Sequence, residues 1–386
     1  MRNAKLFAGT SHLVLAERVA AHLGMELAPV SLRRYTNRET TVDLGCSVRQ
    51  KDVYILQSGS MSTNDHLMEV LIMVSAAKLA SARKITVVVP YFPYSKQSKK
   101  KKRRGAISGK LVANMLTVAG ADHIITMDLH ASQMSGFFTI PVDNLFSEPT
   151  IGRWLVDNVL RGDDENSVDK TDLVVVAKNA GGAKRVTALA DRLGSAFALI
   201  HTDNAPSTRP FSRTPSTVLN RSDDDDDDEF DEGQLMEMVN TPLEELADPA
   251  DVSVSRNAQA IAQATAGIAE QHKKLTSWHK KRNARITLVG DVRDKLVLLL
   301  DDMIDHPSSF LTAAEHLMVN CGARACVEIC PYVQKVIVTN TFPIPDELTS
   351  ASSKLVQIDV APVLAEAIRR NHNGESISYL FNRNPW

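Results

Sequence analysis

A run of five apolar residues followed at once by acids is the feature that most constrains the fold of this chain. The run Leu296–Leu300 leads directly into the acid-rich segment Asp301–Asp305. A short apolar run bounded by polar residues is typical of a strand that is buried on both faces of a parallel sheet. In open α/β sheets, ligands bind just beyond the carboxyl ends of such strands. We therefore expect Asp301, Asp302 and Asp305 to face a ligand, where carboxylates accept hydrogen bonds from sugar hydroxyls or hold a hydrated Mg²⁺.

Strand-like runs alternate with helix-like segments along most of the chain. Val53–Leu56, Ile85–Val89 and Ile124–Met127 read as strands, and the same alternation resumes at Leu173–Val176. Alternation of this kind predicts βαβ units, parallel sheets and an α/β fold class. The length of 386 residues agrees with about two domains at roughly 150 residues per domain. We place the two α/β domains at residues 1–147 and 148–386.

Residues 203–284 interrupt this alternation. The segment is rich in proline and serine and carries an unbroken acidic run, Asp223–Asp228. Six like charges in a row are normally solvated and disordered. The segment is therefore predicted to be either a long disordered surface insert or a regulatory insert that binds a partner. Loose Ca²⁺ binding is a weaker possibility, because the acidic run lacks the spaced ligands and turn glycine of an EF-hand loop.

Charge and composition exclude several classes of protein. The formal net charge of -2 predicts no general attraction to nucleic acid or to a membrane. No apolar run approaches the roughly 18 residues of a transmembrane helix, and the N-terminal residues lack a signal-peptide core. The four cysteines, at positions 46, 321, 326 and 330, do not complete a zinc set. Reduced thiols and a cytoplasmic location are the resulting expectations.

Ordered sequence blocks across nearly the whole chain, outside the insert, carry a family resemblance. These blocks are Phe92–Tyr94, Leu111–Leu116, Ala119–His130, Ala180–Arg185, Val338–Thr341, Ala367–Arg370 and His372–Ser376. With them, the chain resembles the ribose-phosphate pyrophosphokinases (PRPP synthetases), which move the diphosphate of ATP onto ribose 5-phosphate. The resemblance implies two tandem phosphoribosyltransferase-like domains, ATP and ribose 5-phosphate as substrates, Mg²⁺ as cofactor and homologous subunits as partners.

On the nucleotide side, the resemblance implies a nearly complete set of residues. Tyr35, Asn37 and Glu39 stand where the family has an aromatic and two polar residues that hold adenine. Lys96 and Gln97 open a basic loop that the resemblance places over ATP, with Lys96 standing where the family has arginine. Arginine can form bidentate hydrogen bonds with phosphate, whereas lysine contributes a single positive charge without that geometry. A solvated basic loop or a nuclear-localisation patch is the alternative interpretation.

The resemblance also implies a metal and phosphate side that follows the strand ending at Met127. There the family uses residues that correspond to Asp128 and His130, with Asp143 in a nearby segment also assigned to the metal. His130 is the implied catalytic residue. On its own it could equally be a structural histidine at a strand end, and the surrounding motif favours the functional role.

The resemblance also implies that Asp301, Asp302 and Asp305, with Ser308 and Ser309, bind ribose 5-phosphate. On this sugar side, the sequence departs from the family at four places. Thr202-Asp203-Asn204 stands where the family has a lysine and an arginine that contact the transferring phosphates. Lys178-Asn179 replaces the family's Pro-Asp. The turn His306–Phe310 has lost its glycine and two threonines, although Ser308 and Ser309 could still donate to a phosphate. About a dozen residues are missing after Cys330.

These departures predict a ribose-phosphate pyrophosphokinase subunit that is weakly active or inactive alone and supports a hetero-oligomeric enzyme. The loss of charge-stabilising cations disfavours turnover by this chain, while the preserved fold blocks favour a structural partner. Two alternatives remain open at this point. One is a fully active enzyme with substituted residues, and the other is a non-catalytic protein that regulates partners through its insert.

Overall fold

The computed structural model describes residues 1–100, 104–160, 169–204, 284–304, 307–327, 335–345, 349 and 353–381. The predicted insert therefore lies outside the described residues, apart from its ends at 203, 204 and 284. Asp305 also lies outside them. All contacts reported below belong to one compact unit formed by Met1–His201 and Ile286–Trp386.

A five-stranded parallel sheet forms the centre of the N-terminal half. Its strand order is β1-β4-β5-β6-β7, and every neighbouring pair is parallel. The strands are β1 (Ala4–Ala8), β4 (Asp52–Leu56), β5 (Lys84–Val89), β6 (His123–Met127) and β7 (Val142–Leu145). An antiparallel hairpin, β2 (Val30–Arg34) with β3 (Thr40–Leu44), stands apart from this sheet. The strands of the five-stranded sheet are rich in apolar and β-branched residues, which suit a sheet that is covered on both faces.

The helices of this half are α1 (Leu13–Leu23), α2 (Thr63–Leu79) and α3 (Ser108–Ala119). Two of them, α1 and α3, end at glycines in the left-handed conformation, Gly24 and Gly120. A residue without a Cβ adopts this C-terminal conformation at no steric cost. A short 3₁₀ helix at Ser132–Phe137 connects β6 to β7.

The second half is built on another five-stranded sheet, in the order β10-β9-β8-β11-β12. Its strands are β8 (Leu173–Ala177), β9 (Ala196–Asn204), β10 (Ala284–Val289), β11 (Leu296–Leu300) and β12 (Ala325–Val327). β8 pairs in parallel with both β9 and β11, and β11 pairs in parallel with β12. The predicted α/β class with parallel sheets in both halves is confirmed, and the run Leu296–Leu300 is the buried strand that the sequence predicts.

The remaining elements complete the second half. Its helices are α4 (Glu148–Leu155), α5 (Ala183–Leu193), α6 (Pro307–Glu315) and α7 (Ala361–Asn373). Helices α4 and α6 continue as π-helical turns at Val156–Leu160 and His316–Asn320. Short 3₁₀ turns lie at Lys170–Asp172, Ala180–Gly182 and Ser378–Phe381. A parallel pair, β13 (Val336–Thr339) with β14 (Leu355–Ile358), precedes α7.

Helix α7 packs into the core of the N-terminal half, although it lies far along the chain. Leu364 and Ile368 are fully buried in one cluster with Leu6, Leu15 and Tyr54, from β1, α1 and β4. The sequence boundary at residue 148 assigns this helix to the second domain. Helical periodicity identifies a buried face but does not say which sheet covers it, so this packing could not be read from the pattern.

A buried carboxylate at the start of β4 links α7 to the N-terminal sheet. Asp52, at the start of β4, accepts a hydrogen bond from Arg83 Nε at 2.7 Å and lies 3.0 Å from His372 Nδ1 of α7. Its side chain is only 5% exposed. Burial alone would raise the pKa of the Asp52 carboxyl. The hydrogen bonds and charges of Arg83 and His372 outweigh burial and hold this pKa below its ordinary 3.8.

This carboxylate gives a prediction for acid stability. A carboxyl whose pKa is lower in the folded state adds stability above its unfolded pKa and loses it as the pH falls through the folded pKa. At neutral pH, Asp52→Asn should therefore lower the free energy of unfolding by about 2 kcal/mol. The difference from wild type should shrink as the pH falls below 3.8. Urea unfolding over a pH series measures it, with Asp43→Asn on the exposed face of β3 as the matched control, and a pH-independent difference would contradict the assignment.

Candidate active site

Two residues of opposite charge leave neighbouring strands side by side. Lys178 directly follows β8 and Asp301 directly follows β11, and the last residues of these strands, Ala177 and Leu300, are paired in register. Because the strands are parallel, their carboxyl ends meet at the same edge of the sheet, where ligands bind in this class of fold. Lys178 Nζ lies 3.0 Å from Asp301 Oδ2, and both side chains are largely buried.

The second acid, Asp302, joins the two halves of the molecule. Its Oδ2 lies 2.6 Å from Nδ1 of His130, which follows β6 in the N-terminal half. Its Oδ1 lies 3.0 Å from Arg185 Nη1 of α5, and Arg185 also donates to the carbonyl oxygen of His130 at 3.4 Å. The structure thus brings three residues that sequence reasoning selected, His130, Asp301 and Asp302, into one cluster.

The two acids of this cluster experience different environments. Burial, together with the neighbouring Asp302, raises the pKa of Asp301 against the opposing charge of Lys178. Burial also penalises charge on Asp302, but hydrogen bonds from His130 and Asp301 and the charge of Arg185 prevail and lower its pKa. Asp302 therefore keeps its negative charge to a lower pH than Asp301, and its side chain is only 5% exposed.

Asp128 supports the turn that carries His130. Its carboxylate accepts from the backbone N–H of Ser147 at 3.2 Å, and its backbone adopts a positive φ of 47°, which is uncommon for a residue with a side chain. Burial raises the pKa of Asp128 against these hydrogen bonds from Ser147. Asn144 fixes the same turn by accepting from the Leu129 N–H at 3.2 Å. These contacts hold the turn between β6 and the 3₁₀ helix in one conformation.

Asp143 makes a separate pair. Its Oδ2 lies 2.7 Å from Nε2 of His123, which is the first residue of β6, whereas Asp128 and His130 follow the last. No contact described for these residues joins Asp143 to Asp128 or His130. The three residues assigned to the metal are therefore not brought together by the described side-chain contacts.

The residues assigned to adenine share the tip of the β2–β3 hairpin. The Tyr35 N–H donates to the Glu39 carbonyl at 2.8 Å, and the Glu39 N–H donates to the Asn37 side chain at 3.2 Å. The Tyr35 ring is 59% exposed, which leaves it open to stacking. Lys96 and Gln97 lie elsewhere, just before α3, where the carbonyl of Gln97 accepts from the Gly109 N–H at 3.2 Å.

The residues assigned to the sugar phosphate lie at the start of α6. Ser309 is described, and its hydroxyl lies 3.3 Å from Lys178 Nζ. Ser308 belongs to the same helix, but its side chain lies outside the described part of the chain, as does all of Asp305. Phe310 is buried, and its ring centroid lies 4.0 Å from Lys178 Nζ.

Comparison with known proteins identifies the family. A family model described as the N-terminal domain of ribose phosphate pyrophosphokinase matches residues 4–120. A second, described as the phosphoribosyl synthetase-associated domain, matches residues 244–330 and 322–382. Ribose-phosphate pyrophosphokinase 1 of Schizosaccharomyces pombe is 44% identical over 415 residues, which cover 99% of this chain and 100% of the relative. The chain belongs to the ribose-phosphate pyrophosphokinase family.

Two further relatives support this assignment. Ribose-phosphate pyrophosphokinase 1 of Saccharomyces cerevisiae is 42% identical over 430 residues, with 99% of each chain covered. The crystal structure of phosphoribosylpyrophosphate synthetase from Mycobacterium smegmatis matches with a TM-score of 0.69 and 28% identity, over 97% of this chain and 100% of that one. The resemblance predicted from the sequence blocks is confirmed, and with it the two-sheet α/β fold.

In this family member, the acid pair Asp301–Asp302 does not fit the hydrated Mg²⁺ ion that its position after β11 suggested. All four carboxylate oxygens of Asp301 and Asp302 already have a donor: Lys178, the Asp302 N–H, His130 and Arg185. Mg²⁺ requires oxygen ligands at about 2.1 Å in near-octahedral geometry, and an ammonium group beside the ligand repels it. Throughout the described part of the chain, no group of three His, Cys, Asp or Glu side chains could hold a metal ion.

Sequence reasoning identified Lys178 and Asn179 as departures from the family but did not predict their contacts, and it gave Arg185 no individual role. Lys178 and Arg185 supply the cations of the cluster. Asn179 accepts from the Gly182 N–H at 3.0 Å and so caps the turn before α5, which uses its side-chain oxygen locally. The available signal was positional, because Lys178 and Asp301 each directly follow a strand of the same predicted sheet.

Within the described residues, no helix is long and apolar enough to cross a membrane.

Proposed function

We propose that this chain is a subunit of a hetero-oligomeric ribose-phosphate pyrophosphokinase and has little or no turnover of its own. Its reaction would be that of the family, in which ATP and ribose 5-phosphate give PRPP and AMP. The observation that carries the proposal is the acid pair at the end of β11. Family membership and the contact between His130 and Asp302 support a common active-site region, while Lys178 is paired with one oxygen of the sugar-side acid Asp301.

We infer that the chain keeps its nucleotide-binding side and has lost much of its ribose 5-phosphate side, because the residues of the two sides differ in their availability to a ligand. On the nucleotide side, the exposed Tyr35 ring can stack on a base, and Asn37 and Glu39 lie beside it on the hairpin tip. The His130 side chain is 40% exposed, so it can still contact a phosphate group. On the sugar side, Asp301 and Asp302 point their oxygens at protein donors. Ribose hydroxyls would have to displace charge-assisted hydrogen bonds there, and these are about twice as strong as neutral ones.

The residues at the end of β9 support the same conclusion by their types. Thr202 and Asn204 stand where the family has a lysine and an arginine, and Asp203 adds an acid. Cations at that place stabilise the negative charge that develops on the transferring phosphates. Neither a hydroxyl nor an amide supplies a full positive charge. The side chains of these three residues lie outside the described part of the chain.

Nucleotide binding gives a prediction for Tyr35. Tyr35→Ala should weaken ATP binding by about 5- to 150-fold, because stacking of a base on an aromatic ring contributes about 1–3 kcal/mol. Tyr35→Phe keeps the ring and is the matched control, so its ATP affinity should stay close to wild type. Calorimetry with ATP measures both variants. Equal losses in the two would assign the effect to the hydroxyl group and contradict stacking.

Co-assembly tests the proposed subunit role. The chain should co-purify with a catalytically complete homologue from the same cell and form a species larger than either alone, since the family fold is preserved in both halves. Light scattering of the two proteins, separate and mixed, measures this at micromolar concentration. If both are folded and remain separate after mixing, the chain is not a subunit of such an enzyme.

A further inference from the structure

We propose that the ammonium group of Lys178 is a built-in cation that takes the place of a divalent metal ion beside Asp301. The sugar side of the site would then balance its acids without Mg²⁺ and exclude that ion while the lysine is in place. The inference deepens the proposed function and rests on it for the identity of the sugar side. The supporting observation is that each oxygen of this acid pair already has a protein donor, in a family whose reaction implies Mg²⁺.

The ammonium group is held by three different kinds of contact. Nζ lies 3.0 Å from Asp301 Oδ2, 3.3 Å from Ser309 Oγ and 4.0 Å from the centroid of the Phe310 ring. A carboxylate, a hydroxyl and the face of an aromatic ring are all favourable neighbours for a cation. The Lys178 side chain is only 18% exposed. Its surroundings therefore hold the positive charge in one place, unlike those of a flexible surface lysine.

The position follows from how the two strands are paired. Ala177 and Leu300 end β8 and β11 in register, so the residues that follow them emerge next to each other. A lysine after β8 therefore reaches the first acid after β11 without any special loop. Arg185 adds a second positive charge, with Nη1 at 3.6 Å from Asp301 Oδ1 and 3.0 Å from Asp302 Oδ1.

Electrostatics makes the two cations mutually exclusive. A divalent ion bound to Asp301 would sit within a few ångströms of Nζ, and charges at such distances inside a protein repel strongly. Mg²⁺ also releases its water shell reluctantly, so it does not displace an ammonium group that is already desolvated and paired. Removal of the lysine charge should therefore open Asp301 to a metal ion.

Thermal unfolding of the full chain tests this exchange. Lys178→Met removes the charge but keeps an apolar stem against Phe310, and Lys170→Met is the matched control on an exposed lysine of the same half. Adding about 10 mM MgCl₂ should raise the Tm of Lys178→Met by about 3 °C more than that of wild type or Lys170→Met. The acidic run Asp223–Asp228 is common to all variants, so its own Mg²⁺ binding cancels.

Two results would locate or overturn the effect. The double variant Lys178→Met/Asp301→Asn should lose the extra Mg²⁺ response, which assigns the response to Asp301. A folded Lys178→Met whose response to MgCl₂ is no larger than that of Lys170→Met overturns the proposal, as does an equally large response in wild type.

A second measurement keeps the proposal testable if Lys178→Met does not fold. Mn²⁺ binding to the wild-type chain and to Asp301→Asn, counted without nucleotide, should give the same number of ions, because wild type holds none at Asp301. One extra ion on wild type overturns the proposal. Neither measurement involves turnover or a partner, so its failure is distinguishable from failure of the proposed subunit role.

Discussion

PRPP synthesis by the isolated chain is expected to be about 10⁴-fold slower, or more, than by a family member that keeps both loop cations. Loss of one preorganised charge-stabilising donor costs about 10²- to 10³-fold in kcat, and this chain lacks two, at Thr202 and Asn204. Occupation of Asp301 by Lys178 acts in the same direction, because it removes an acceptor from the sugar side. Release of AMP from ATP in the presence of ribose 5-phosphate measures the rate.

The control for this expectation is a homologue that retains the lysine and arginine, purified and assayed in the same way. Slow AMP release that does not depend on ribose 5-phosphate would be ATP hydrolysis and is subtracted in both proteins. A rate within tenfold of the homologue would show that substituted residues sustain the reaction, and the chain would then be a fully active enzyme.

Leu364→Ala is expected to lower the free energy of unfolding by about 2–5 kcal/mol. Leu364 is fully buried on α7, where it packs with residues of β1, α1 and β4. Its truncation leaves a cavity between a helix near the end of the chain and a sheet near its beginning. The N-terminal half should therefore lose stability together with α7, and a fragment of residues 1–147 should not fold alone because part of one face of its sheet is uncovered without α7.

Leu79→Ala is the matched control for this substitution. Leu79 ends α2 and is 85% exposed, so the same change of residue should alter stability by no more than about 0.5 kcal/mol. Urea unfolding followed by circular dichroism compares the two variants with wild type. Equal effects of the two substitutions, or a stably folded fragment of residues 1–147, would contradict the packing of α7 as part of the N-terminal core.

The elements that a sequence pattern predicts are those with local causes. The apolar run Leu296–Leu300 is long enough for one buried strand and ends at an acid, so both the strand and its site-facing end could be read directly. The same reasoning selected Asp301 and Asp302, which the structure brings together with His130. The nucleotide-side assignments came from family resemblance and remain predictions.

What the sequence could not predict depends on tertiary register and partner choice. The pair Lys178–Asp301 exists because Ala177 lies opposite Leu300, and the register of two strands more than a hundred residues apart is fixed by core packing. The attachment of α7 to the first sheet has the same origin. Asn179 illustrates a third limit, because the pattern marks it only as a replacement for the family's aspartate and does not show that its side chain caps a turn.

AMP release by the isolated chain, by a complete homologue and by their co-purified complex distinguishes a dependent subunit from an independent enzyme. We predict that the chain alone shows no turnover above background, that the complex forms, and that the complex turns over at a rate typical of enzymes, about 1 to 1,000 per second. An isolated chain that reaches such a rate without a partner would contradict the proposed subunit role.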